Sequence, residues 1–193
     1  FAGGASIIAR HLAAICPRTM TLEAPTDKVF KRRYVVEPFW QKAFIMEEVG
    51  PRNGTRHWPL VAFDNADLVV AADFGHGAFT AEEAAEVAHR SQGLALTVQS
   101  NALNWGFNPV SRWPRCDYLV ADEMEYRLAL QDRETLAERV LERLGKRMDV
   151  KMAVMTLGHE GCLVMGPDGP LRLPTFSSNV VDTTGAGDAF LAV

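Results

Sequence analysis

From Trp58 onward the chain repeats one rhythm, a short apolar run followed by a helix pattern, and this restricts the fold more than any other feature. Leu68-Val69-Val70-Ala71-Ala72 closes on Asp73, and Leu94–Gln99, Tyr118–Ala121 and Met152–Thr156 are further short runs of the same kind. Apolar runs without alternation predict strands buried on both faces. Between them, Thr80 with Glu83 three residues on predicts a capped helix start, with Ala81, Ala84, Ala85 and Ala88 as its packing face. Asp122 and Glu125 repeat that acceptor-x-x-Glu spacing ahead of Leu128 and Leu130. The spacing of Leu136, Val140, Leu144 and Met148 predicts a helix over Glu134–Met148, in which Glu142 can pair with Lys146. Strands separated by helices imply an α/β fold: a mostly parallel sheet, helices on both faces and right-handed crossovers. Ligands are then expected at the loops after the strand C-termini.

The remaining segments add to this frame. Ile8, Leu12 and Ile15 lie at helical spacing and predict a helix from Gly4 to Ile15, stopped by Pro17. Val29–Val36 and Ala43–Val49 read as strands separated by the Pro38 break. The gap is too short for a crossover helix, so they pair antiparallel, and Gly50–Thr55 supplies a turn-rich end. Cys162–Met165 and Leu171–Leu173 flank Gly166-Pro167-Asp168-Gly169 and predict a hairpin. We expect residues 1–193 to form a single domain, with 28–50 as an antiparallel insertion that can serve as a lid, a homodimer contact or both. The chain starts at Phe1 and stops at Val193 inside a helix pattern, and reads as a piece of a longer polypeptide.

Composition excludes some functions. Hydrophobic residues make up 48% and charged residues 23% of the 193 positions, a globular balance. Lys+Arg 20 against Asp+Glu 24 leaves a net charge of −4, which argues against a broad grip on nucleic acid. No apolar run reaches the roughly 20 residues that span a bilayer. Cys16, Cys116 and Cys162 are widely spaced and odd in number, so a reducing cytosol is the simplest setting and cytoplasmic location the expectation. The five histidines show no zinc-ligand spacing.

The segment Asp182-Thr183-Thr184-Gly185-Ala186-Gly187-Asp188-Ala189-Phe190 follows the strand-like Asn179-Val180-Val181 and opens a helix. Small residues at 185–187 let backbone N–H groups face outward at a helix N-terminus, where phosphate oxygens bind. Asp188, in the first turn, is placed to take a proton from an attacking hydroxyl while those amides hold a transferred phosphoryl group. A glycine-rich turn with an acidic first turn is the plainer explanation of the same letters.

This segment resembles the C-terminal signature of the ribokinase-like sugar kinases, the phosphofructokinase-B family. The resemblance implies that Asp188 is the catalytic base, that Gly185, Ala186 and Gly187 form the anion hole, and that Asp182 and Thr184 belong to the nucleotide site. Thr156-Leu157-Gly158-His159-Glu160-Gly161 looks like the family's Thr-x-Gly-x-x-Gly loop, which assigns Thr156, Gly158 and Gly161 to the nucleotide phosphates. Asp122-Glu123-Met124-Glu125 is similar to its Asn-x-x-Glu motif, with Asp122 in place of Asn, and implies a magnesium and phosphate role for Asp122 and Glu125. Gly3-Gly4-Ala5 resembles the double-glycine sugar-contact region, followed by Ile7 where the family often has Asn. Ala72-Asp73-Phe74-Gly75-His76-Gly77 looks like the Ser-Asp-Tyr-Gly-Lys-Gly stretch of heptose-phosphate kinases, as Lys31-Arg32-Arg33-Tyr34 resembles their Lys-x-Arg strand. That likeness places Asp73 with Gly3 and Gly4 at the sugar. It also implies a fusion, frequent in that branch, to a cytidylyltransferase-like nucleotidyltransferase domain.

The implied fold is a three-layer α/β sandwich, and the implied activity transfers the γ-phosphoryl group of ATP, with Mg²⁺, to a sugar hydroxyl. Two alternatives remain: a kinase-shaped module that binds sugar or nucleotide without turnover, drawing on the departures at Ile7, His76 and Asp122, and a nucleoside kinase of the same fold. Asp73-Phe74-Gly75 spells a protein-kinase triplet, but no His-Arg-Asp loop or Val-Ala-Ile-Lys strand precedes it. The third glycine of a dinucleotide fingerprint is missing at Thr80, and Gln99 rather than an acid ends the next strand. The stretch holding Asn104, Trp105, Asn108, Pro109 and Trp113 reads as a long loop that covers a site or buries its aromatics against the sheet.

Overall fold

The apolar runs become strands, and the strands come in sequence order. A computed structural model describes residues 3–22, 29–36, 41–49, 57–100, 104–166, 168–176 and 185–193. One sheet contains β3 (Val69–Asp73), β4 (Leu94–Val98), β5 (Tyr118–Asp122), β6 (Met152–Thr156), β7 (Cys162–Gly166) and β8 (Gly169–Leu173), in that spatial order. Neighbours from β3 to β6 are parallel, and β7 and β8 continue the sheet antiparallel, closed at Gly166↔Gly169. The parallel registers pair Asp73 with Val98 and Asp122 with Thr156, so these four residues share one edge of the sheet.

Among the described residues a second sheet pairs β1 (Val29–Val36) with β2 (Gln41–Val49), antiparallel from Val29↔Val49 to Val36↔Gln41 with an irregularity at Tyr34/Val35. Tyr34 stacks on Phe44 with ring centroids 4.2 Å apart, and Phe30, Phe44 and Ile45 are exposed. The predicted turn at 50–55 and the Asn179–Val181 run lie outside the described residues.

The helices are α1 (Gly4–Ile15), α2 (Val61–Asp64), α3 (Ala81–Arg90), α4 (Glu123–Leu130), α5 (Ala137–Arg147) and α6 (Ala186–Ala192). Both expected capping boxes form. The Thr80 hydroxyl accepts from Glu83 N while Glu83 reaches back to Thr80 N, and Asp122 and Glu125 do the same at α4. Such reciprocal bonds satisfy amides that the first helical turn leaves without partners.

Strand alternation divides the buried residues between two faces. Leu94, Leu96, Val98, Leu119, Ala121, Ala153, Met155 and Leu163 join one core with Val87, Val140, Leu141, Leu144, Trp113 and Tyr126. Ala95, Val154 and Cys162, at the alternate positions, are buried outside that core, as are Ile8 of α1 and Ala192 of α6. Because α6 packs against β4 and β5 and α1 packs on α6, helices cover both faces. Asp117, before β5, ties the sheet together: its carboxylate accepts from Leu94 N (2.8 Å), Arg115 (3.1 Å) and Lys151 (2.8 Å). Burial pushes this carboxyl up, yet the three bonds together hold it below the usual aspartate range.

Two expectations need correction. α5 starts at Ala137, and Leu136 is its extended N-cap, outside the helix and 73% exposed. Ile15 is exposed at the last turn of α1, where Cys16 already turns extended. In the Trp-rich loop Trp113 is buried, whereas Trp105 and Phe107 face solvent.

Candidate active site

The carboxyl edge of a parallel sheet gathers the loops that follow its strands, and the candidate residues meet there. The αL residue Gly185 (φ 81°) caps α6, and a first turn leaves its amides without intrahelical acceptors. Asp188, in that turn, is buried, and its Oδ1 accepts a hydrogen bond from Gln99 Nε2 at 3.0 Å. Burial raises the Asp188 carboxyl above the ordinary aspartate range, and the Gln99 bond opposes that shift.

Two glycines let neighbouring segments close in around the other oxygen. A methyl group on Gly4 would lie 2.7 Å from Asp188 Oδ2 and 2.6 Å from Phe74 Cζ, and one on Gly185 would lie 3.1 Å from Ile7 Cδ1. The α1 start, the loop after β3 and the α6 start therefore converge on Oδ2. Gly3, the exposed N-cap of α1, accepts from Ser6 N and Ile7 N through its carbonyl.

Asp73, at the end of β3, is buried and its carboxylate is engaged on both oxygens, by Gly75 N at 3.0 Å and Trp113 Nε1 at 3.3 Å. Its neighbours in the loop are held as firmly. Asn104 donates to Phe74 O, Asn108 donates to Asp73 O, and Gly75 (φ 69°) has no space for a side chain beside Asn104. These bonds fix the backbone that carries Phe74 toward Gly4. His76 lies in the same loop. Burial pushes its imidazole down, Glu47 and Asp73 pull it up and Lys31 adds to the lowering, so the β1–β2 sheet comes near this loop. Lys31 and Glu47 form an ion pair across β1 and β2.

The second half of the site lies along β5 and β6. Glu125 is buried, accepting from Ser100 N (3.0 Å) and Asp122 N (2.9 Å), and burial with the nearby Asp122 charge pushes it up to about 7. Asp122 is exposed, with Oδ1 accepting from Glu125 N at 2.8 Å. Asp122, Glu123, Met124, Arg127, Thr156 and Leu157 line a cleft of about 360 Å³. Beyond Thr156 the chain turns tightly: Leu157 N donates to Gly161 O at 2.8 Å, with Gly158 at φ 59° and Gly161 at φ 91°.

Gln99 and Ser100 link the halves, one residue bonded to Asp188 and the next to Glu125. Asp182 and Thr184 lie outside the described residues. Among those described, no three His, Cys, Asp or Glu side chains gather closely enough to hold a metal alone. The donors instead suit Mg²⁺, which keeps much of its water and takes one or two carboxylates plus phosphate oxygens. Asp122 would meet such an ion, and Glu125, with one lone pair left on each oxygen, would hold its water. Gln99, Phe74, Asn104 and Asn108 escape sequence reading as site residues. The signal available for Gln99 is its place at the end of a parallel strand.

The sequence profile of the pfkB family carbohydrate kinases matches residues 55–193. A curated relative, an uncharacterized sugar kinase of Archaeoglobus fulgidus, is 42% identical over 62 residues, 32% of this chain and 23% of its own. The bifunctional protein HldE of Chromohalobacter salexigens is 26% identical over 136 residues, 68% of this chain and 27% of its own, which does not single out the heptose branch. Among solved structures, ribokinase from Thermotoga maritima superposes with a TM-score of 0.59 at 18% identity, over 84% of this chain and 54% of the ribokinase. The chain thus spans about a quarter of these curated relatives and about half of the ribokinase, with which it shares its fold. With the profile covering more than half of its length, the chain belongs to the pfkB family of carbohydrate kinases.

Proposed function

We propose that residues 1–193 belong to a single kinase domain that phosphorylates a sugar hydroxyl from ATP. The observation that carries this reading is the Asp188 carboxylate at the start of α6, anchored on Oδ1 by Gln99 with Oδ2 facing Gly4. Burial keeps that carboxyl basic for an aspartate, as proton removal from an acceptor hydroxyl requires. Bound Mg²⁺–ATP supplies the phosphoryl group. The amides at 185–187 would bind its oxygens, with Thr156 lining the cleft beside Asp122 and Gly158 and Gly161 in the turn that follows Thr156. Gly3, Gly4 and Asp73 shape the acceptor side, Asp73 by holding the loop that carries Phe74. Residues 28–50, with His76 close to Lys31 and Glu47, would act as lid or dimer contact. The heptose-like acceptor and a fused nucleotidyltransferase domain are carried by the sequence resemblances, and the cytoplasmic setting by the three widely spaced cysteines.

A sugar- or nucleotide-binding module without turnover is the second reading, favoured by the apolar Ile7 beside Gly185. Coupled ATP turnover by the full-length protein, measured over pentoses, hexoses, heptoses, their phosphates and nucleosides, separates the two. Turnover on one acceptor class, falling about 10²- to 10⁴-fold in D188N, is the expected result. Turnover that survives D188N removes the mechanism, and binding without turnover on any acceptor establishes the module.

A further inference from the structure

We propose that Gln99 is a positioning residue for Asp188, its side-chain amide fixing Oδ1 so that Oδ2 is held toward Gly4 at the start of α1. The inference rests on the reading of Asp188 as the base, and it assigns a task to a residue outside every motif of the sequence.

Four observations carry it. Gln99 Nε2 donates to Asp188 Oδ1 at 3.0 Å across 89 residues of chain, and among the described residues no other group donates to that carboxylate. The donor is itself immobilised: Gln99 N donates to Asp73 O at 2.9 Å, and the adjacent Ser100 N donates to Glu125 Oε1 at 3.0 Å. Oδ2 lies on the opposite side, 2.7 Å from where a Gly4 methyl would stand. Finally, the donor is neutral. A lysine here would pin the carboxylate as an ion pair and weaken it as a base, whereas an amide orients it without adding charge. Of the elements packed against α6, α1 carries Arg10 and His11, β4 carries no titratable side chain, and β5 carries Tyr118 and Asp122, all four exposed. None of them shifts Asp188; burial and the Gln99 bond do.

The test uses the full-length protein and Q99M, which keeps side-chain length but cannot donate. We expect kcat to fall about 10- to 100-fold with KM for sugar and ATP within about twofold, because orientation is lost while binding is not. Without its donor the ionised form is less favoured, so the acidic limb of kcat/KM moves up by about half a pH unit or more. Carbon-13 titration of the aspartate carboxyls, with Asp188 assigned by its loss in D188N, reads the same upward shift without turnover. Q99E, with a second carboxyl beside the first, moves both readouts further in that direction. Unchanged titration and an unchanged acidic limb in Q99M would overturn the inference, as would a loss confined to folding stability. Wild-type protein without turnover would sink the kinase reading instead, and the carboxyl titration would still decide the role of Gln99.

Discussion

Replacing Gly161 by alanine should cost far more than replacing Gly158, although both occupy one short turn. Gly161 holds φ 91° and ψ −127°, a region that residues with a Cβ scarcely populate, at a strain of about 1–3 kcal/mol. The added Cβ would also lie 2.0 Å from Leu173 O and 2.8 Å from Pro174 C. Backbone cannot rotate aside as a side-chain tip can, so β8 must shift relative to β7, a further overpacking cost of about 1–3 kcal/mol. The two effects together come to about 2–6 kcal/mol, a large share of the roughly 5–15 kcal/mol that holds a domain folded. At Gly158 a Cβ meets nothing within 4 Å, and φ 59° leaves only a left-handed penalty of about 1–2 kcal/mol. Urea unfolding of G161A and G158A in the full-length protein, followed by far-ultraviolet circular dichroism, gives both values. If G161A unfolds within about 1 kcal/mol of G158A, the close approach of Gly161 to β8 is wrong.

Two further outcomes follow from buried carboxylates. Glu125 is pushed up to about 7 from an ordinary 4.5, so its contribution is fully present below about 4.5 and is lost as pH rises toward 7. The stability difference between wild type and E125Q should therefore change by about 3 kcal/mol over that interval, to the disadvantage of wild type; urea midpoints with pH check it, and a flat difference refutes it. Asp117 is held low, so its stabilisation is present above the unfolded aspartate range and fades as pH falls. D117N, which disturbs the bonds to Leu94 N, Arg115 and Lys151, should cost about 1–3 kcal/mol at neutral pH by thermal or urea unfolding and lose that acid sensitivity.

Much of the fold is legible because its signals are local. Thr80 with Glu83 and Asp122 with Glu125 each state a helix start within four residues, and both boxes form. The two strands around Pro38 are too close for anything but an antiparallel pair, and so they pair. Leu136 misleads because equal spacing continues one residue beyond the helix it seems to enter, and only the extended backbone there reveals the cap. Val61–Asp64 is a single turn, too short to show a period. At the site, Gly185 and Asp188 are legible from small residues before an acid, a pattern with a chemical reason. The bond from Gln99 is not, since nothing near residue 99 refers to residue 188. Asp73 is legible as a strand-end carboxylate but not as one turned inward on Gly75 and Trp113.

The pairing of α1 with α6 has a consequence for assembly. Six strands follow one another across the sheet in the order of synthesis, so each can dock on the last as it emerges. Asp188 and Gly4, by contrast, meet only when segments far apart in the sequence come together, a loop closure that can occur only after α6 is made. Regain of turnover on refolding should lag regain of the sheet, and a nick that frees α1 should abolish chemistry in a molecule whose spectrum still reports it as native.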